Sequence, residues 1–156
     1  KELPHIYVQR MSLEKNKVFQ QQYSKSIILT ADTVVAIGRR ILPKTMDVNT
    51  AENCLKLISG RRHKVFTNFT LYTPNNLLKT KTVQSIVKFK RLHPDEISCY
   101  LASNEWKGKS GGYAIQGIGA LFINFISGSY SNIVGLPIAE LYRALISIGY
   151  KFKNDK

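Results

Sequence analysis

Asp32 is the residue whose setting most demands a chemical reason. It stands between Ile27-Ile28-Leu29 and Val34-Val35, where a carboxylate is costly to bury unless it is hydrogen-bonded, paired with a cation or bound to a metal. Such an acid either lies at a strand end or in a cleft, or caps a turn. A glycine-rich run from Asn104 to Gly119 is the second candidate, being long for a plain connection. In it Lys107 and Lys109 flank Gly108, with Gly111 and Gly112 close behind. Bare amides and two ammonium groups in that pattern either grip phosphate oxygens or form a solvated turn. Gly108-Lys109-Ser110 looks like the end of a P-loop, but that motif needs a glycine where Ser103 stands and a strand leading in. Gln116, between Ile115 and Gly117, offers a neutral amide that either reads a nucleobase edge or serves as a satisfied core group. His5, His63 and His93 read as surface or strand-end residues and have neither zinc spacing nor a Ser-His-Asp arrangement.

The elements that would position these groups follow from periodicity. Pro4 to about Tyr23 reads as a helix with Tyr7, Met11 and Val18 on its apolar stripe. Ile27 to Ile37 is β-branched and apolar enough for a buried strand, with Thr30-Ala31-Asp32-Thr33 as a polar break. A helix through Val48, Ala51, Leu55 and Ile58 is capped by Asp47 or Thr50 at its start and Gly60 at its end. Val65, Thr67, Phe69 and Leu71, the turn Pro74-Asn75-Asn76, then Val83, Val87 and Phe89 predict an antiparallel hairpin. A helix over Pro94 to Ser103 precedes the glycine-rich loop, a strand over Ala120 to Ile126 follows it, and a last helix turns Ile138, Leu141, Leu145 and Ile148 inward. Lys151 to Lys156 reads as a polar tail. The alternation predicts a mixed α/β single domain.

Composition sets the surroundings. A chain of 156 residues that is 44% hydrophobic can bury one sizeable core. Its 23 Lys+Arg against 10 Asp+Glu give a net charge of +13, attractive to nucleic acid, acidic membranes or phosphorylated small ligands. Against a nucleic-acid track, Lys79 and Lys81 differ in parity from Lys88 and Lys90, so a regular strand points them to opposite faces. Cys54 and Cys99 read as small buried residues of a reducing compartment. No apolar run is long enough to span a bilayer and Lys1 to His5 do not form a signal peptide, so a cytoplasmic protein is expected.

Five ordered blocks carry a resemblance. Ala31-Asp32-Thr33-Val34-Val35, Leu42-Pro43-Lys44, Leu57-Ile58-Ser59-Gly60 with His63-Lys64-Val65, Lys109 to Gly117, and Gly128-Ser129-Tyr130 with Val134-Gly135-Leu136-Pro137 together resemble the Maf proteins. The resemblance implies an α/β fold whose mixed sheet carries flanking helices, with two lobes around a central cleft. It implies hydrolysis of a nucleoside triphosphate, in the dTTP- and UTP-preferring subgroup, to the monophosphate and pyrophosphate, with a divalent cation (Mg or Mn), in nucleotide-pool housekeeping linked to septum formation. By position it makes Asp32 the proton acceptor and metal ligand, Lys15 and Lys44 contacts to the triphosphate, and Thr33 and Gln116 determinants of base choice; Lys109 of the glycine-rich loop joins them as an expected substrate-binding residue. A homodimer is implied, with no nucleic acid and no membrane as partners. The strand and the S-x-S-P-R-R loop with which such proteins begin have no counterpart here, so the expectation is one domain over residues 1–156 lacking both. A catalytically impaired nucleotide-binding or division-linked protein is the alternative.

Overall fold

A computed structural model describes residues 2–152. Pro4 fits the first turn of α1 (Pro4–Gln22), and β1 (Ile28–Ile37) follows. Gly38 turns the chain, with φ of 57°, into the short β2 (Arg40–Leu42). The Asp47 carboxylate accepts from the Thr50 amide at 2.7 Å to start α2 (Val48–Ile58). Next come β3 (Arg62–Tyr72), β4 (Leu78–Phe89) and α3 (Pro94–Ala102), the last opened by a reciprocal cap between His93 and Glu96. A six-residue 3-10 turn (Gly117–Phe122) leads into β5 (Ile123–Ser127), then α4 (Tyr130–Val134) and α5 (Ile138–Ser147).

The strands form one sheet in the order β2-β1-β3-β4-β5. The α/β class and flanking helices are as expected, while every ladder among the described residues is antiparallel rather than mixed. β3 lies in the middle and is buried on both faces from Val65 to Leu71, which is why its alternating pattern is filled in with Phe66, Asn68 and Thr70. One face packs on α2, α3, the glycine-rich loop and α4 through a core that includes Leu55, Ile58, Val65, Phe89, Tyr100 and Trp106. Each such fully buried side chain contributes roughly 1.5–3 kcal/mol. The other face carries α1.

Several local expectations change. α1 turns Val8, Ser12 and Asn16 fully to the sheet; of the expected stripe Tyr7 packs beside Val8, Met11 is half-buried and Val18 is exposed. The polar residues win that face because the sheet opposite is polar: Ser12 Oγ bonds Thr70 Oγ1 at 3.0 Å, and Asn16 Nδ2 donates to Thr30 Oγ1 at 3.2 Å and to Thr70 O at 3.1 Å. β1 has no break; it pairs with β3 without interruption from Ile28 to Ala36. The residues before Ile123 coil into the 3-10 turn instead of extending β5, and the five-residue α4, not foreseen from the sequence, stands between β5 and α5. Along α5 only Leu141 is fully buried, and Ile138 is exposed. Cys54 is buried as expected, whereas Cys99 is exposed. Lys79 donates to Ser147 Oγ at 2.6 Å, and Lys90 lies past the end of β4, paired with Glu96. Of the expected polar tail, residues 153–156 lie outside the described residues, and Phe152 stacks on Tyr142. No described helix is long and apolar enough to cross a membrane.

Candidate active site

β2 covers only Val35 to Ile37 of β1, so the stretch from Ile28 to Val34 has a strand partner on one edge alone. A cleft of about 280 Å³ opens there. α1 and β1 stand on one side of it, and the glycine-rich loop with the α4–α5 turn stands on the other. Lys15, Asp32, Thr33, Lys44, Lys109 and Gln116 all line this one cleft. Lys107 does not: its ammonium lies 6.0 Å above the Trp106 ring.

Asp32 sits in mid-strand opposite Asn68, not at a strand end, and is 7% exposed. Its burial is matched by cations. Lys15, from α1, places its ammonium 2.6 Å from Oδ1, and Lys44, from the segment after β2, places its own 3.3 Å from the same oxygen. Both lysine side chains are about half exposed, at 42% and 50%, so their ammonium groups can also reach a ligand in the cleft. Two ammonium groups on one carboxylate leave an excess positive charge, to which Lys109 adds, and the cleft favours a polyanion. Both contacts fall on Oδ1, so Oδ2 is the oxygen left to accept a proton or a metal ion. Among the described residues no group of three or more His, Cys, Asp or Glu side chains could cage a metal by itself. A magnesium-like ion held by one carboxylate, with phosphate and water completing its shell, is compatible with that donor set.

The loop that closes the far side is fastened at both ends. Gly108 N–H donates to Thr45 O at 2.9 Å, Gly111 N–H to Pro43 O at 3.2 Å, and Lys44 bridges Ser110 across the cleft rim. Ser110 Oγ also accepts from Val35 N–H at 2.8 Å, completing the β1 edge beside the site, a role that its type alone did not announce. Farther on, Tyr100 Oη accepts from Ala114 N–H at 3.1 Å, and Glu105 accepts from Ile118 N–H at 2.9 Å. Gln116, held between these two anchors, is exposed and makes no capping bond at the head of the 3-10 turn, so its amide is available to a ligand.

His63 lies at a strand end, the second residue of β3, but is buried at 2% exposure. Its Nε2 pairs with Tyr113 Oη at 2.8 Å, and its ring meets Phe89 edge-on. Burial pushes the imidazole down to about 4, so it is neutral at pH 7, and burial likewise holds the Tyr113 phenol well above its usual range. Tyr113 lines the cleft, which makes His63 a prop behind the cleft wall. The remaining wall is Ile133, Val134 and Gly135. The Gly135 carbonyl lies 3.3 Å from Thr33 Oγ1, and Thr33 Oγ1 lies 2.8 Å from Thr67 Oγ1. Thr67 and Asn132 were missed as contributors because each, taken singly, is an ordinary buried polar residue.

Comparison with known proteins adds an independent line. A family model described as "Maf-like protein" matches residues 1–148. The dTTP/UTP pyrophosphatase of Chelativorans sp. (strain BNC1) is 52% identical over 126 residues, covering 81% of this chain and 60% of that protein. The dTTP/UTP pyrophosphatase of Mesorhizobium japonicum is 47% identical over 160 residues, covering 99% of this chain and 77% of that protein. The nucleoside triphosphate pyrophosphatase of Ehrlichia chaffeensis is 48% identical over 145 residues, covering 93% and 76%. The match thus spans three fifths of the first relative's length and about three quarters of the other two.

Proposed function

The chain belongs to the Maf-like protein family, and from that premise we propose that it hydrolyses nucleoside triphosphates, dTTP and UTP foremost, to the monophosphate and pyrophosphate. The observation that carries this reading is the convergence of Lys15 and Lys44 on Asp32 Oδ1 in a cleft also lined by Lys109 and Gln116. Cutting the α–β linkage needs charge neutralised along three phosphates, a placed water and a stabilised leaving group. Lys15, Lys44 and Lys109 hold phosphate oxygens. Asp32 Oδ2 takes the proton of a water whose oxygen bonds to the α-phosphorus as the bond to the bridging oxygen breaks and pyrophosphate departs. A divalent cation, Mg or Mn, would be held by Asp32 and the substrate phosphates, and would supply further neutralisation of charge on them. Thr33 and Gln116 face the base.

The finer biological setting belongs to the same proposal: a cytoplasmic enzyme of nucleotide-pool housekeeping linked to septum formation, working as a homodimer, with mononucleotides rather than nucleic acid as ligands. A second reading has one observation in its favour. Asp32 is the sole carboxylate lining the cleft among the described residues, which suits a protein that binds nucleotides without turning them over. The two separate on incubation with UTP or dTTP and Mg or Mn. Release of pyrophosphate, lost in Asp32→Asn, supports the enzyme, whereas calorimetric binding with no product supports the binding protein.

A further inference from the structure

The face of the cleft away from Asp32 is built on a hydroxyl relay. Alternation along β1 turns Thr33 to the side opposite Asp32, where its partner across the ladder is Thr67 of β3. Thr67 is fully buried, as is Asn132 of α4. Thr67 Oγ1 donates to the Asn132 main-chain carbonyl at 2.9 Å. The Asn132 amide, oriented so that its oxygen accepts from Ser85 Oγ at 2.9 Å, donates from its nitrogen to Thr67 Oγ1 at 3.2 Å and to Val83 O at 3.3 Å.

The protons of this relay can be counted, and each hydroxyl has one. If Thr67 donates to Asn132 O, the 2.8 Å contact requires Thr33 to donate to Thr67. If Thr67 donates to Thr33 instead, Thr33 is left to satisfy Gly135 O at 3.3 Å. Two protons serve these three contacts; turning the Thr33 proton into the cleft leaves one, so that Gly135 O goes without and either Asn132 O or the 2.8 Å pair of hydroxyl oxygens goes without as well, which is the costly arrangement. In either favourable state Thr33 keeps at least one lone pair and offers no proton.

We infer that Thr67 and Asn132 are positioning residues that fix Thr33 Oγ1 as an acceptor only, so that the site selects bases presenting an imide N3–H. This rests on the nucleotide reading above and supplies its basis for uracil and thymine: both carry a proton on N3, whereas cytosine presents a lone pair there. Gln116, with both donor and acceptor, is free to pair with a base carbonyl beside it.

The test compares UTP, CTP and UTP methylated at N3. Wild-type protein should use UTP at least about tenfold better than either of the others in kcat/KM, because each lacks the N3 proton. Thr67→Val should shrink the UTP-to-CTP ratio mainly by raising KM for UTP, with a smaller change in kcat, and Thr67→Ser should restore it. If wild-type protein binds nucleotides without hydrolysing them, the same ratios are read from Kd, which separates failure of hydrolysis from failure of the relay. Equal use or binding of UTP and its N3-methyl analogue would overturn the inference, whatever the folding of the valine variant, and so would a valine variant that keeps the wild-type ratio. A protein that neither binds nor cleaves any of the three overturns both the relay and the function.

Discussion

A single carboxylate held by two ammonium groups matters far more to activity than to stability. Asp32→Asn keeps the shape and removes the proton acceptor, so kcat should fall by roughly 10²- to 10⁴-fold in a pyrophosphate-release assay. Its unfolding free energy should move by no more than about 1 kcal/mol, because the two lysines facing it are about half exposed. Replacing Lys15 by Met should raise KM for the nucleotide roughly tenfold through loss of a charged contact to phosphate, measured by steady-state kinetics. His63 gives stability a pH dependence. Its folded-state pKa is depressed to about 4 by burial, below the ordinary value of 6.5, so the unfolded chain binds the extra proton first. Stability from this residue is complete above pH 6.5 and is lost as pH falls toward 4, at up to about 1.4 kcal/mol per pH unit. Urea titrations at pH 7 and pH 4.5 should show that loss in wild-type protein and a smaller one in His63→Leu.

At the scale of elements, the site depends on how the glycine-rich loop docks against β1. A Cβ on Gly111 would stand 2.9 Å from Val35 Cγ1, at a φ of 73° that disfavours side chains. Gly111→Ala should therefore cost about 2 kcal/mol in urea unfolding and raise KM as Lys109 and Gln116 shift with the loop. The order of strands and helices was largely legible in the sequence, since the hairpin of β3 and β4 and the stripe of α2 have strong periodicity. The orientation of α1 was not, because two of the residues it turns to the sheet beside Val8 are Ser12 and Asn16, and hydrogen bonds leave no hydrophobic period. Asp32 announced itself through the cost of burying a carboxylate, but its place in mid-strand depends on lysines from two elements remote in sequence. Lys15 and Lys44 carry no local signal of pairing, and only the resemblance of the surrounding blocks singled them out. Thr67 and Asn132 were hidden for a related reason: their role is a three-dimensional relay across β1, β3 and α4.

For the molecule as a whole, the net charge of +13 and the cluster of lysines at the cleft should draw in an anionic substrate in a salt-dependent manner. Raising the salt concentration from low to several times physiological should increase KM for UTP a few-fold while leaving kcat less affected, a split visible in initial rates. The fold serves this by leaving one edge of β1 open where α1, the segment after β2 and the glycine-rich loop meet. The central step of the proposed reaction is attack of water on the α-phosphorus beside Asp32. Hydrolysis of UTP in water enriched in oxygen-18, read by mass spectrometry, should place the label in UMP and none in pyrophosphate. Label found in the pyrophosphate, or no cleavage by a folded sample supplied with Mg or Mn, would contradict it.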